Sequence, residues 1–263
     1  MAEGQTEYTG MMAQFWDLLR GDSSHWTDRF FYKEAVAQCG QPALDVGCGT
    51  GRLVIDFLAD GIDIDGVDNS QEMLDYCRQK GAKLGLQPTL YMQSMTALAL
   101  PRQYRTILVP SGSIQILIEP SEVRAAMQGF LAHLLPGGTL VVSFYQLWTG
   151  GPVGPTAREE WMREVVRPED GAILRRWSRS TYDLVNNLEH TEHRYDLIRN
   201  GEVVVSQRFV RSPGTRGYTQ AQAQQIFQDA GFVDVRVTSA FTHEPAQADD
   251  TLFTVWGTKP AAT

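Results

Sequence analysis

A strand that runs into a glycine-rich turn and straight on into a helix constrains this chain more than any other feature. Ala43-Leu44-Asp45-Val46 is a short apolar run, Gly47-Cys48-Gly49-Thr50-Gly51 interrupts it, and a helical pattern follows from Leu53 to Ala59. The alternation then repeats. Ile62 to Val67 reads as a second strand ending at Asp68, and Ser70 reads as the N-cap of a helix carrying Met73, Leu74 and Cys77. Pro88 to Met92 and Thr106 to Val109 read as third and fourth strands. Ser121 caps a helix with Val123, Met127, Phe130, Leu131 and Leu134 on one face; Pro136-Gly137-Gly138 stops it, and Thr139 to Phe144 is a fifth strand. Strands alternating with helices imply an α/β fold with a doubly wound parallel sheet. Ligands in such sheets bind beyond the carboxyl ends of the strands. The loops after Val46, Val67, Met92, Val109 and Phe144 are therefore where chemistry is expected.

Glycines after the first strand let the chain turn sharply and let a ligand approach bare backbone N–H groups. Asp68 stands 17 residues beyond Gly51, at the end of the second strand, where a carboxylate can accept both hydroxyls of an adenosine ribose. The spacing is G-x-G-x-G followed by Arg52, not the G-x-G-x-x-G of dinucleotide enzymes. Asp45 would oppose a pyrophosphate at the helix N-terminus and favour a cationic amino-acid moiety. These details point to S-adenosylmethionine (SAM) rather than a nicotinamide dinucleotide.

Leu44 to Arg52 resembles the first motif of class I SAM-dependent methyltransferases, and Gly66-Val67-Asp68-Asn69-Ser70-Gln71-Glu72-Met73-Leu74 is similar to their second. Leu134 to Val142 resembles the later strand-entry motif, and Ala230-Gly231-Phe232 before Val233-Asp234-Val235 resembles the entry to the sixth strand. The resemblance implies a seven-stranded Rossmann-like sheet whose last strand, Thr251 to Gly257, runs antiparallel. It also implies an enzyme using SAM on a small molecule, loosely similar to glycine N-methyltransferase and sugar N-methyltransferases. By position it places Asp45 near the cofactor's amino group and Gly47, Cys48, Gly49 and Gly51 along its methionine part. Asp68 would hold the ribose, with Asn69 and Met73 bordering ribose and adenine. Where the family usually offers an acid to the adenine, this chain has Gln93-Ser94-Met95. Ser94 would accept a hydrogen bond there and Met95 would supply an apolar wall. The loop Pro110-Ser111-Gly112-Ser113, with Ser111 on the cofactor side, lacks the N-P-P-Y motif of DNA-adenine methylases.

Residues 1–40 are expected to form a helical lid. Tyr8 to Arg20 reads as one amphipathic helix in which Phe15 and Leu19, with Phe30 further on, pack on the sheet edge. Tyr8 or Trp16 would lie against the sulfonium, whose charge suits an aromatic face, and Arg29 would hold the methionine carboxylate. Residues 41–145 and 218–263 make up the cofactor domain, and 146–217 form an insertion that the core fold does not need. It opens with the turn-rich Thr149-Gly150-Gly151-Pro152-Val153-Gly154-Pro155 and a short amphipathic piece, Arg158 to Val166. Three strand-like runs follow: Ile173 to Val185, Leu188 to Arg199, and Glu202 to Ser212. Asn200-Gly201 signals a type I′ hairpin. An antiparallel three-stranded cap is the natural reading, serving as a substrate roof or a homodimer interface. His190 and His193 fall on opposite faces of a strand and are no metal pair. Arg175, Arg176, Arg179 and Arg194 are expected to pair with nearby acids.

Methyl transfer from a sulfonium is an in-line displacement, so the protein mainly aligns the reactants in a desolvated pocket. A base is needed only where the nucleophile must lose a proton. Tyr145, just after the fifth strand, and then His25 are the candidate catalytic groups, ahead of Glu119 and His243, and Trp148 is a candidate pocket wall. Composition narrows the partners. With 23 Lys+Arg against 31 Asp+Glu the net charge is −8, which disfavours nucleic acid. No run of 18 apolar residues suggests a membrane span, and Met1 to Gly10 has no basic signal region. Three widely spaced cysteines read as reduced cytoplasmic thiols. A SAM-binding protein of the same fold without turnover, a nicotinamide enzyme and a macromolecule methylase are the alternatives.

Overall fold

The computed structural model describes residues 8–148 and 156–261. The turn-rich piece 149–155 and the residues before Tyr8 that were read for a signal lie outside the described residues. The seven strands of the large sheet are β1 (Ala43–Val46), β2 (Ile64–Asp68), β3 (Thr89–Met92), β4 (Tyr104–Val109), β5 (Leu134–Tyr145), and, later in the chain, β10 (Val233–Ser239) and β11 (Leu252–Thr258). They lie in the order β10-β11-β5-β4-β1-β2-β3, with β11 antiparallel to both of its neighbours and the β5-to-β3 block parallel. This is the seven-stranded sheet expected above.

Alternate residues of the central strands feed two cores. Ile107, Val109, Leu140 and Val142 face α6 (Pro120–His133) and α7 (Gln220–Asp229) through Phe130 and Phe227. Leu108 and Val141 face the other way, onto Phe31 and Tyr32 of α3 (Thr27–Cys39) and Leu53 and Phe57 of α4 (Arg52–Ala59), with Trp256 closing that layer. Ser70 caps α5 (Gln71–Lys83), its hydroxyl accepting from Met73 N at 3.3 Å. Ser121 does not cap α6. Glu119 does, in a capping box with Glu122, because Pro120 takes the first helical position where its missing N–H costs nothing.

The insertion forms a separate antiparallel sheet of four strands, one more than expected: β6 (Thr156–Val166), β7 (Ile173–Asp183), β8 (Leu188–Arg199) and β9 (Glu202–Arg216). The piece Arg158 to Val166 is thus a full edge strand, paired with β7 along its length. Asn200 and Gly201 both have positive φ, 50° and 82°, as a type I′ turn requires.

The N-terminal segment differs from the single helix expected. Phe15, at φ −107° and ψ 10°, separates α1 (Gly10–Gln14) from α2 (Trp16–Arg20). The break turns Met11, Met12, Phe15 and Leu19 onto Leu174, Tyr195 and Leu197 of the cap, so these residues pack on the inserted sheet and not on the edge of the large one. Phe30 remains half exposed.

Candidate active site

A pocket of about 960 Å³, part of it open to solvent, lies beyond the carboxyl ends of β1 to β4. Val46, Gly47, Cys48 and Gly49 come from the loop after β1, and Val67, Asp68 and Asn69 from the end of β2. Met73 of α5 and Gln93, Ser94 and Met95 after β3 form one wall, while Ser111, Ser113, Ile116 and Leu117 form another. Tyr8, Trp16 and Arg20 roof it.

Glycine is required in the floor. Gly47 has φ +72°, and a Cβ there would stand 2.9 Å from Ser113 Oγ, inside the cradle. Gly51, at φ +79°, has a different reason: a Cβ would collide with Cys77 Sγ under the start of α4. Asp68 is held rigidly, Oδ2 accepting from Gly49 N and Oδ1 from Ser70 N, both at 2.9 Å. Burial nevertheless raises its carboxyl above the ordinary range, outweighing those backbone donors. Asp45 is more extreme. It is 2% exposed, its Oδ1 has no hydrogen-bond partner, and burial pushes its pKa up to about 7, against the pull of Arg52.

The roof is tied to the floor by hydrogen bonds. Ser70 Oγ donates to Tyr8 O at 2.8 Å, Gly10 N to Glu72 Oε2 at 2.7 Å, and Thr50 Oγ1 to Asp17 Oδ1 at 2.5 Å. Lys80 reaches the other Asp17 oxygen at 3.0 Å. Tyr8 pays for its place with a left-handed φ of 60°, and its ring stands edge-on to Trp16 at 4.9 Å. Arg20 lies over the Trp16 ring at 5.0 Å, and its pKa is lowered by burial and then by Arg52.

The structure therefore gathers Tyr8, Trp16, Gly47, Cys48, Gly49, Asp68, Asn69, Met73, Ser94, Met95 and Ser111 around one cavity. Asp45 and Gly51 lie behind its wall. Arg29 is elsewhere: its Nε donates to Asp56 at 2.6 Å and its Nη1 to Ser24 O, so its charge is spent between α3 and α4. The guanidinium in the roof is that of Arg20, four residues after Trp16 and hence on the same helical face, a spacing that was readable but unread. His25 is exposed beside Asp22 and outside the pocket. Tyr145, the first catalytic candidate, does not line the pocket: it is 37% exposed, with its ring edge against Gly112 and its N–H donating to Gln115 Oε1. His243 packs against Phe31 and Trp256, and Glu119 is committed to its helix cap. Trp148 stacks near Tyr182 of the cap at 5.2 Å. Gln93, Ser113, Ile116 and Leu117 were missed because loop residues carry no periodic signal.

Two further cavities lie between this roof and the cap. One, of about 870 Å³, shares Tyr8 and Trp16 with the first pocket; the other shares Tyr8 and Ile116. Among the described residues no cluster of His, Cys, Asp or Glu is arranged to hold a metal ion, and no helix is long and apolar enough to cross a membrane.

Comparison with known proteins agrees with this geometry. Residues 43–138 match the family model described as a methyltransferase domain. A Geobacillus sp. (strain WCH70) protein provisionally named a methyltransferase is 25% identical over 249 residues, which is 92% of this chain and 96% of that one. The dTDP-3-amino-3,4,6-trideoxy-alpha-D-glucopyranose N,N-dimethyltransferase of Streptomyces venezuelae is 30% identical over 137 residues, 52% of this chain and 54% of its own. In structure, a SAM-dependent methyltransferase from Clostridium acetobutylicum superposes with a TM-score of 0.72 at 18% identity, covering 95% of this chain and 97% of that one. Residues 43–138 thus carry a methyltransferase domain, and the glycine loop and strand order are consistent with a class I SAM-dependent methyltransferase that uses SAM. The inserted antiparallel cap belongs to the same architecture.

Proposed function

We propose that the chain transfers a methyl group from SAM to a nitrogen or oxygen of a small-molecule acceptor seated between the cofactor pocket and the cap. The observation that carries this is the adjacency of the cavities: the pocket lined by Asp68 and the spaces beneath the cap share Tyr8, Trp16 and Ile116 as walls. A small acceptor space of this kind between roof and cap suits a metabolite better than a nucleic acid. The curated relative that methylates a dTDP-amino sugar supports a small acceptor as well.

The residues fit the cofactor. Its sulfonium supplies an already activated methyl group, and the protein's task is binding and alignment. Asp68 retains acceptor capacity for ribose hydroxyls, since each of its oxygens uses one backbone donor. The unpartnered Oδ1 of Asp45 is a buried orphan that a cationic amino-acid group nearby would compensate. Gly47 and Gly49 leave the floor bare, and Ser94 and Met95 border the adenine end. Arg20, not Arg29, holds the carboxylate, and the Trp16 face lies beside the sulfonium. Tyr145 lies behind Gly112, outside the pocket lining, and is no general base in its resting state: burial raises its phenol, so it is neutral at pH 7.

Calorimetry with S-adenosylhomocysteine tests the cofactor half of this reading, and acceptor-dependent formation of S-adenosylhomocysteine from a mixture of small metabolites tests the other. Tight binding without turnover on any small molecule would refute the acceptor assignment.

A further inference from the structure

The cap has two faces of unequal chemistry. Strand β7 alternates, placing Arg175, Trp177 and Arg179 outward and Leu174, Arg176 and Ser178 inward. The outward arginines are paired: Arg175 Nε donates to Glu164 at 2.5 Å, and Arg179 reaches Glu160 at 2.8 Å and Glu192 at 3.7 Å. On β8, Arg194 pairs with Asp196 at 3.1 Å. Arg176 departs from the pairing expected of all four. Its Nε is buried without a partner, and no carboxylate among the described residues forms an ion pair with it. Its Nη2 only approaches the His193 ring, at 3.4 and 3.5 Å, while its guanidinium lies over Trp161 at 4.8 Å and Tyr195 at 5.6 Å.

Of the two cavities that Arg176 lines, the one that also holds Glu159 and Glu189 is mixed in charge, and the other, beneath the roof, is one-sided. Arg208 and Arg211 line it too, together with Thr191, His193, Tyr8 and Trp16, and no Asp or Glu does. Arg208 is engaged by Glu192 at 2.7 Å and Arg211 donates to Ile116 O at 3.4 Å, so Arg176 is the uncompensated member. The acids of the same inner face, Glu159 and Glu189, are held by Tyr182 and Ser180 in the neighbouring cavity. Ser180 is four residues along the strand from Arg176, roughly 13 Å away. His193, bonded through Nδ1 to Ser178 Oγ at 2.9 Å, adds no positive charge: burial and then Arg176 hold its pKa down to about 4. Arg176 is half-buried, but its orphaned Nε–H is fully buried, and such a donor is costly unless an acceptor completes it.

We infer that the methyl acceptor carries an anionic group, a carboxylate or a phosphoryl group, and that Arg176 with His193 beside it anchors that group under the cap. This rests on the proposed function above, since the acceptor is taken to occupy the cavity that adjoins the cofactor pocket. Arg176 fixes specificity and position, and it lies outside the methyl-transfer chemistry itself.

The test uses the full chain saturated with S-adenosylmethionine and a small-metabolite extract split by anion exchange. Formation of S-adenosylhomocysteine is expected with the retained fraction. Prior phosphatase treatment will abolish it for a phosphoryl acceptor and leave it for a carboxylate. Arg176→Gln is expected to raise KM at least tenfold with kcat within threefold, whereas Arg175→Gln on the outer face changes neither. Turnover confined to the unretained fraction, or an Arg176→Gln variant equal to wild type, overturns the inference. In parallel, calorimetry of inorganic pyrophosphate and succinate against the S-adenosylhomocysteine complex reads the subsite without turnover. Binding of either probe that Arg176→Gln weakens and Arg175→Gln does not supports the anion site even if no acceptor turns over, an outcome that would refute the methyl-transfer reading instead. Absence of binding by both probes, together with no turnover on the retained fraction, refutes the anion site. Unchanged S-adenosylhomocysteine affinity in Arg176→Gln establishes that the variant is folded.

Discussion

The cavities that meet at Tyr8 and Trp16 bury charges of opposite sign. Behind the floor of the cofactor pocket lies Asp45, whose Oδ1 has no hydrogen-bond partner; beneath the cap lies Arg176, whose Nε has none. Each orphaned atom is a cost, and under the proposals above each would be met by a different ligand charge: a cation against the glycine loop and an anion against the cap. The contrast teaches how one chain can hold two reactants in adjoining spaces without confusing them. An anionic acceptor is repelled by Asp45 and Asp68, and the charge of the sulfonium is repelled by Arg176. The N-terminal segment belongs to both halves, with Ser70 holding Tyr8 on one side and Leu174 and Tyr195 holding Phe15 on the other.

The largest expected effect comes from breaking that shared segment. Phe15 is 3% exposed and packed on the cap, so Phe15→Ala should cost about 3–5 kcal/mol, the usual range for emptying such a site. If the segment docks the two halves to one another, denaturant unfolding will show the loss and hydrogen exchange will rise in β7 and β8 as well as in residues 8–20. Protection lost in residues 8–20 alone would mean that the cap stands independently of the roof.

Much of the cofactor side was legible before any coordinates, and the reason is local. A glycine loop, the acid ending the next strand and a Ser N-cap are all fixed by short-range backbone geometry, so Gly47, Asp68, Ser70 and Met73 fall where their spacing puts them. The hairpin at Asn200-Gly201 is legible for the same reason. The roof was not. Arg20 and Arg29 carry the same guanidinium, and only the break at Phe15 and the pairing of Arg29 with Asp56 decide which one faces the pocket. Nor was the edge strand β6 legible, because Arg158 to Val166 is largely exposed and its ordering comes from pairing with β7. Strand alternation does assign Arg176 to one face of β7. It is silent on where the acids of that face stand: Glu159 and Glu189 line one of the cavities at Arg176 and are absent from the other.

A second way to sharpen the contrast is the pH dependence of Asp45. Its folded pKa, about 7, lies above the ordinary carboxylate value, so the fold binds the proton more tightly than the unfolded chain. The associated stability is complete below about pH 4 and is lost as the pH rises toward 7 and beyond. Asp45→Asn should abolish that decline, leaving the variant of order 4 kcal/mol more stable than wild type at pH 8 without ligand. Added SAM should close the gap, because a cation beside the ionised carboxylate restores what burial took away. Thermal melts from pH 5 to 8, with and without SAM, measure both. If SAM stabilises the two proteins equally at pH 8, Asp45 has no part in holding the cofactor's charge.

His193 gives the smallest effect and the opposite slope. Its folded pKa, about 4, lies below the ordinary value because burial and Arg176 disfavour the imidazolium. The unfolded chain therefore takes up this proton first, and stability is lost as the pH falls from about 6.5 toward 4, with no change above 7. His193→Gln should flatten that acid limb by of order 2 kcal/mol at pH 4.5 while leaving the alkaline limb set by Asp45 untouched. Inorganic pyrophosphate should act in the same direction on wild type, since an anion against Arg176 screens the charge that helps keep the ring neutral. The His193 signal in a proton NMR titration would then move to higher pKa with the anion present and stay in place when Arg176 is replaced by Gln. An anion that leaves this titration unmoved is bound elsewhere, and the sign difference between the two cavities would then have to be explained by the fold alone.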